Sequence, residues 1–181
     1  MNKDEIKQLS AYARYDGIYL AIVWAASFAC FLAMTWQSFL SQFSTILLLS
    51  TPFFVAYRLK IYREEGLGGA ISFKRAYFYC VRVFFNGAFI FSFLQWFYMQ
   101  FVDNGKLVRM VSAILSAPQY DALYASMGVS RDEFLTLVPD AFAPMTISIN
   151  SFLYGAFFGA MISLPIAAFM FRSVRSNQNL L

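Results

Sequence analysis

The chain has 181 residues, 60% of them apolar and 13% charged, with a formal net charge of +4. Soluble domains run near half apolar and a quarter charged, and a chain this short cannot hide so much apolar surface in one water-shielded core, so the composition argues against a soluble globule and for one membrane domain. There is no histidine, which removes the commonest general base and metal ligand, and the basic residues flank apolar runs instead of forming the stripe of a nucleic-acid footprint; no cofactor, metal or nucleic-acid partner is expected.

Residues 1–16 are polar and mixed in charge. Ile6, Leu9 and Ala13 recur at helical spacing beside Lys3, Lys7 and Arg14, which predicts a short amphipathic helix on the inner membrane face. The first apolar run, 17–36, is too long for the core of a signal peptide and reads as a retained span. A polar patch, Gln37 to Gln42, turns the chain. The second run starts at Phe43 and stays apolar to Tyr57, giving a span over about 43–62 closed by Arg58, Lys60 and Arg63, which can snorkel to headgroups. Pro52 inside it predicts a kink that frees the carbonyl of Leu48.

Glu64 to Arg75 form an inner loop. Gly66, Gly68 and Gly69 permit a sharp path there, but without a GK[ST] ending they do not make a phosphate loop. Ser72, with Lys74 and Arg75, starts the third helix, whose span covers 76–102, about 40 Å at the usual rise per residue. The long connection 103–145 is expected to hold two or three short surface helices. Leu107, Met110, Val111, Ile114 and Leu115 share a helical face, Pro118 ends that segment, and Ser130-Arg131-Asp132-Glu133 has the pattern of a capping box. The fourth span, 146–171, is expected to kink near Pro165 and to close with Arg172 and Arg175. The fold class expected is therefore all-α: an integral four-helix bundle with amphipathic surface helices in its third loop.

Lys3, Lys7, Arg14, Arg58, Lys60, Arg63, Lys74, Arg75, Arg172 and Arg175 fall on one side of these spans. Lys106, Arg109 and Arg131 are spread over the long loop on the other. The positive-inside rule then puts both termini in the cytoplasm and the loops 37–42 and 103–145 outside. Tyr15, Tyr19, Trp36, Tyr57, Tyr62, Tyr77, Tyr79, Trp96 and Tyr98 lie near the run ends, as an aromatic belt would.

Three constellations stand out. Gly155, Gly159 and Ser163 recur every fourth residue, and Ala21, Ala25, Ala29 and Ala33 do the same; small faces let membrane helices approach closely, either within the chain or against a partner or a second copy. Arg82, with Asn86 four residues on, is a candidate contact for an anionic lipid or ligand, or a snorkelling anchor. Asp132 and Glu133 are adjacent and point to different sides of a helix, so they do not make a facing acid–base pair. No carboxylate is placed inside a span, which speaks against a proton pump. Cys30 and Cys80 both fall in apolar runs and read as packing residues. An enzyme is not expected.

The chain also resembles a bacterial membrane family known as domain of unknown function 4199. The likeness lies in the inner loop, Tyr62-Arg63-Glu64-Glu65-Gly66 through Gly69-Ala70-Ile71-Ser72-Phe73-Lys74-Arg75-Ala76, and in the helix start Gly128-Val129-Ser130-Arg131-Asp132-Glu133. Lys74-Arg75 departs from the smaller or polar residues expected there. The resemblance implies four spans in the inner membrane and no assigned activity. Such proteins are often encoded near polyprenol-phosphate glycosyltransferases, which implies a role at the envelope. The expected function is a non-catalytic accessory or scaffolding subunit that binds another membrane protein of envelope biogenesis through the inner glycine loop and the glycine-lined face. The alternative is a small transporter or lipid-binding protein with a cleft between its spans.

Overall fold

A computed structural model describes residues 2–172, which are helical apart from loops and one isolated antiparallel bridge between Ile71 and Arg172. Arg175 and the rest of the tail lie outside the described residues. Helix α1 runs unbroken over Lys3–Leu32, so the amphipathic segment expected over 1–16 is the first half of the same helix that carries the first span. Asn2 starts it with a capping box to Glu5. Gly17 does not end it, although glycine costs about 1 kcal/mol in a helix interior. A Cβ at Gly17 would fall 2.5 Å from that of Asn86, so the bare backbone is what lets a neighbouring helix approach.

A turn of 3-10 helix, Ala33–Thr35, leads into α2 (Leu40–Leu49) and α3 (Thr51–Ile61). These two meet at 43°. The break falls at Ser50, whose hydroxyl donates to the Leu47 carbonyl at 2.7 Å. Pro52 thus sits in the first turn of α3, where its missing N–H costs nothing, and the bend lies two residues before the proline. A π-helical turn, Tyr62–Gly66, ends this arm.

Ser72 caps α4 (Phe73–Phe101) by accepting from the Arg75 N–H. Then come α5 (Lys106–Leu115), α6 (Asp121–Met127) and α7 (Arg131–Ala141). Ser130 caps α7 through the Glu133 N–H at 3.1 Å. A 3-10 turn at Pro118–Tyr120 separates α5 from α6, as the proline predicts. Finally α8 runs over Pro144–Met170, continuing through Pro165.

Three helices, α1, α4 and α8, are long and apolar enough to cross a membrane, and α2 with α3 makes a fourth candidate if the bent pair is one span. Only 22–39% of their most apolar windows is buried within the chain, so most of that apolar surface points outward, where lipid would cover it. Helix α4 is the hub, packed along α8 on one side and α1 on the other, while α2 leans mainly on α1. Helix α3 touches α1, α4 and α8. Buried residues gather around it: Leu9, Ala13, Leu20, Val55, Leu59 and Val83 are essentially closed to solvent. This half of the molecule, which carries Arg58, Arg75 and Arg82, is called the basic end below.

Candidate functional site

The buried residue that organises the basic end is Asp16. Leu9, Ala13, Asp16 and Leu20 follow one another at spacings of four, three and four, so they form one stripe of α1, and all four are buried. Asp16 is 1% exposed. Its Oδ1 accepts from the Arg58 guanidinium on α3, and its Oδ2 accepts the hydroxyl proton of Tyr79 on α4. One carboxylate therefore ties three helices together. Its lone pairs are answered by a cation and a hydroxyl, which is the condition for a buried charge to be tolerated. The Arg58 guanidinium also lies over the Tyr19 ring, 5.0 Å from its centroid.

The network continues toward the chain surface. Tyr62 stacks on Tyr79, and Tyr12 tilts against Tyr62 with 5.0 Å between centroids. Arg75 donates through Nε to the Tyr62 hydroxyl at 3.0 Å and through a terminal nitrogen to the Gln8 side-chain oxygen at 2.9 Å. Gln8 in turn donates to the carbonyl of Gly66 at 2.9 Å. Tyr62 and Tyr79 are fully buried, so neither belongs to the aromatic belt in which the sequence pattern grouped them. Tyr15, Tyr19, Trp36 and Tyr57 do face outward. Likewise Asp16, at the margin of the first apolar run, is an acid inside the helix packing.

Beside this clamp lies a cavity of about 280 Å³ lined by Ser10, Arg14, Arg82, Phe85 and Asn86. The structure therefore brings the expected pair Arg82 and Asn86 together and adds Arg14 and Ser10 from α1. Arg82 donates to the Ser10 hydroxyl, Asn86 donates to the Ala13 carbonyl at 3.2 Å, and Arg14 donates to the Ser10 carbonyl at 3.4 Å. Among the described residues neither Arg14 nor Arg82 has a carboxylate in salt-bridge range. Each guanidinium carries five N–H donors, so most of their capacity is unspent. Two like charges thus converge on one small cavity.

The glycine-lined face of α8 is spent inside the chain. A Cβ on Gly159 would collide with the side chain of Phe84, and one on Gly155 would come to 3.0 Å from the Cβ of Ala88 and 3.2 Å from the Trp24 ring. Ser163 is buried and donates to the Gly159 carbonyl at 2.7 Å. This face packs on α4 and leaves no room there for a partner helix. In the inner loop, Gly66 lies against Tyr62 and Tyr12, whereas Gly68 and Gly69 take left-handed backbone conformations, φ +67° and +98°. The loop is pinned to the end of α8 by the Ile71–Arg172 bridge and by Arg63, which donates to the Met170 carbonyl at 3.0 Å. Cys80 is buried and Cys30 partly so. Among the described residues no group of His, Cys, Asp or Glu is arranged to hold a metal ion.

Compared with known families, residues 15–172 match the profile described as Protein of unknown function (DUF4199). No curated protein and no solved structure matches the chain.

Proposed function

From a chain that belongs to this family of unknown function, we propose a non-catalytic integral membrane protein that holds an anionic headgroup at its basic end. The observation that carries the reading is the convergence of Arg14 and Arg82, both without carboxylate partners, on one cavity with Ser10 and Asn86. Guanidinium groups bind phosphate oxygens with paired, charge-assisted hydrogen bonds. Phe85, half exposed at the rim, offers an apolar surface to an acyl chain. The setting is the bacterial inner membrane, with four spans, both termini in the cytoplasm by the placement of Lys and Arg, and the cavity in the inner leaflet.

The experiment is native mass spectrometry of the delipidated protein with dioleoyl phosphatidylglycerol against dioleoyl phosphatidylcholine. The wild type is expected to retain the anionic lipid preferentially. Arg82→Gln is expected to weaken that retention about tenfold, the equivalent of one charge-assisted hydrogen bond, and Arg14→Gln with Arg82→Gln to abolish the preference. Equal retention of the two lipids by the wild type rejects the reading.

The accessory-subunit reading keeps one surface, the inner loop around Gly66, Gly68 and Gly69, with Glu64 and Glu65 exposed beside it. Its other surface, the Gly155 and Gly159 face, is occupied by α4. Stoichiometric recovery of a second membrane protein in mild detergent, lost on altering Glu64 and Glu65, favours it; recovery of the chain alone counts against it.

A further inference from the structure

The geometry points to a second ligand site at the end of the molecule opposite the basic end: a cavity of about 310 Å³ suited to a zwitterion with a primary ammonium close to a phosphate. Asp103, just past α4, lies in its wall and is 0% exposed. Its Oδ2 accepts the Leu107 N–H at 3.1 Å and so starts α5, but its Oδ1 has no hydrogen-bond partner. Native structures rarely leave a buried carboxylate oxygen unanswered. Lys106 lines the same cavity, and no carboxylate among the described residues pairs with it. The remaining wall is largely apolar, including Leu32, Trp36 and Met110.

These features select the ligand by elimination. A simple anion would meet Asp103, and a simple cation would meet Lys106. A zwitterion satisfies both, its ammonium toward Asp103 and its phosphate toward Lys106. Oδ1 needs a hydrogen donor, so the ammonium carries N–H bonds; a quaternary nitrogen has none to give. Oδ1 is also shut off from water, so solvent does not satisfy it. The cavity sits where α1 and α4 end, at the depth where headgroups meet the ends of spans. An aminoethyl phosphate, in a lipid or free, has this chemistry. The site shares no residue with the Arg14–Arg82 cavity and stands or falls separately.

The test measures retention of dioleoyl phosphatidylethanolamine and dioleoyl phosphatidylcholine by the delipidated full chain, with free O-phosphoethanolamine as competitor. Wild type is expected to favour the ethanolamine lipid about tenfold, one charge-assisted hydrogen bond's worth. Asp103→Asn is expected to remove that preference, since an amide still accepts from Leu107 but lacks the charge. Lys106→Gln, at an exposed position, is expected to weaken both lipids and serves if Asp103→Asn does not fold. Competition by O-phosphoethanolamine supports the site and identifies a free zwitterion as a ligand; its failure alongside a lipid preference supports the site and assigns it to lipid. Equal retention of the two lipids by the wild type, or an ethanolamine preference untouched by Asp103→Asn and retention untouched by Lys106→Gln, overturns the inference. Arg82→Gln leaves the ethanolamine preference intact.

Discussion

The ring of Tyr62 lies flat on that of Tyr79, with centroids 4.7 Å apart and planes 7° from parallel. Each ring carries its hydroxyl to a different charged partner: Tyr62 accepts from Arg75, and Tyr79 donates to Asp16. The stack thus joins an arginine near the chain surface to a buried acid–base pair. It also holds the π-helical turn at the end of the second arm against α4, and π turns of this kind recur where a helix is adapted to a site.

The clamp should show graded losses. Tyr79→Phe removes one hydrogen bond to a charged group and is expected to cost about 1.5–3 kcal/mol. Asp16→Ala leaves Arg58 without its carboxylate and is expected to cost about 3 kcal/mol or more, the usual penalty for breaking such a pair from one side. Asp16→Ala combined with Arg58→Met should be less damaging than the sum of the two single changes, because no orphaned charge remains. Reversible unfolding in mixed micelles measures the wild type and the four variants; additive losses would show that the pair is not coupled.

The three long apolar helices α1, α4 and α8 were legible because each carries a long apolar run, and the caps at Ser72 and Ser130 were legible because hydroxyl-led helix starts have a local pattern. Arg82 and Asn86 were legible as polar residues on one face of an apolar helix. Asp16 was not, because the polar stretch before it made it look like the last residue of a surface segment. The signal that places it inside is its register with Leu9, Ala13 and Leu20, a stripe that crosses the boundary between polar and apolar sequence. Tyr62 and Tyr79 posed a related problem: position near a run end fits both a belt and a core, and only tertiary packing chooses. Asp103 carried no sequence signal for its cavity, since the Leu32 and Trp36 that share its wall are distant in the chain.

Glycine substitutions on α8 should separate two degrees of crowding. At Gly155 an added Cβ meets Ala88 at 3.0 Å, so Gly155→Ala needs an adjustment of a few tenths of an ångström and is expected to be mild. At Gly159 the added Cβ overlaps Phe84 at its stiff Cβ and ring root, so α4 and α8 must move apart. Gly159→Ala is expected to cost about 1–3 kcal/mol, the range for overpacking, and Gly159→Leu to cost more. Thermal melting in one detergent ranks them; a Gly159→Leu protein as stable as wild type would mean that the tight contact contributes nothing.

Arg63 neutralises the end of α8 by donating to the Met170 carbonyl, while its own Nε and a terminal nitrogen donate to Glu64. Arg63→Ala should therefore loosen two elements at once, the end of α8 and the 67–72 loop that bridges to Arg172. Amide hydrogen exchange is expected to quicken at Ile71 and Arg172, whose N–H groups bond each other's carbonyls, with little change in the middle of α4. Arg63→Lys keeps the charge but not the fork that serves both partners, and is expected to rescue only partly. Unchanged exchange at Ile71 would remove Arg63 from this role.

Orientation can be read chemically. With Cys30→Ala and Cys80→Ala, a single new cysteine reports which side of the membrane its loop occupies. Glu65 and Ser126 are both exposed, one in the turn that follows α3 and one in α6, so neither substitution disturbs packing. Cationic residues resist translocation and hold short loops on the cytoplasmic side, and those around Glu65 outnumber those around Ser126. A membrane-impermeant maleimide is expected to label Ser126→Cys in intact cells and Glu65→Cys only after permeabilisation. The reverse pattern would invert the topology. It would also move the Arg14–Arg82 cavity to the outer leaflet.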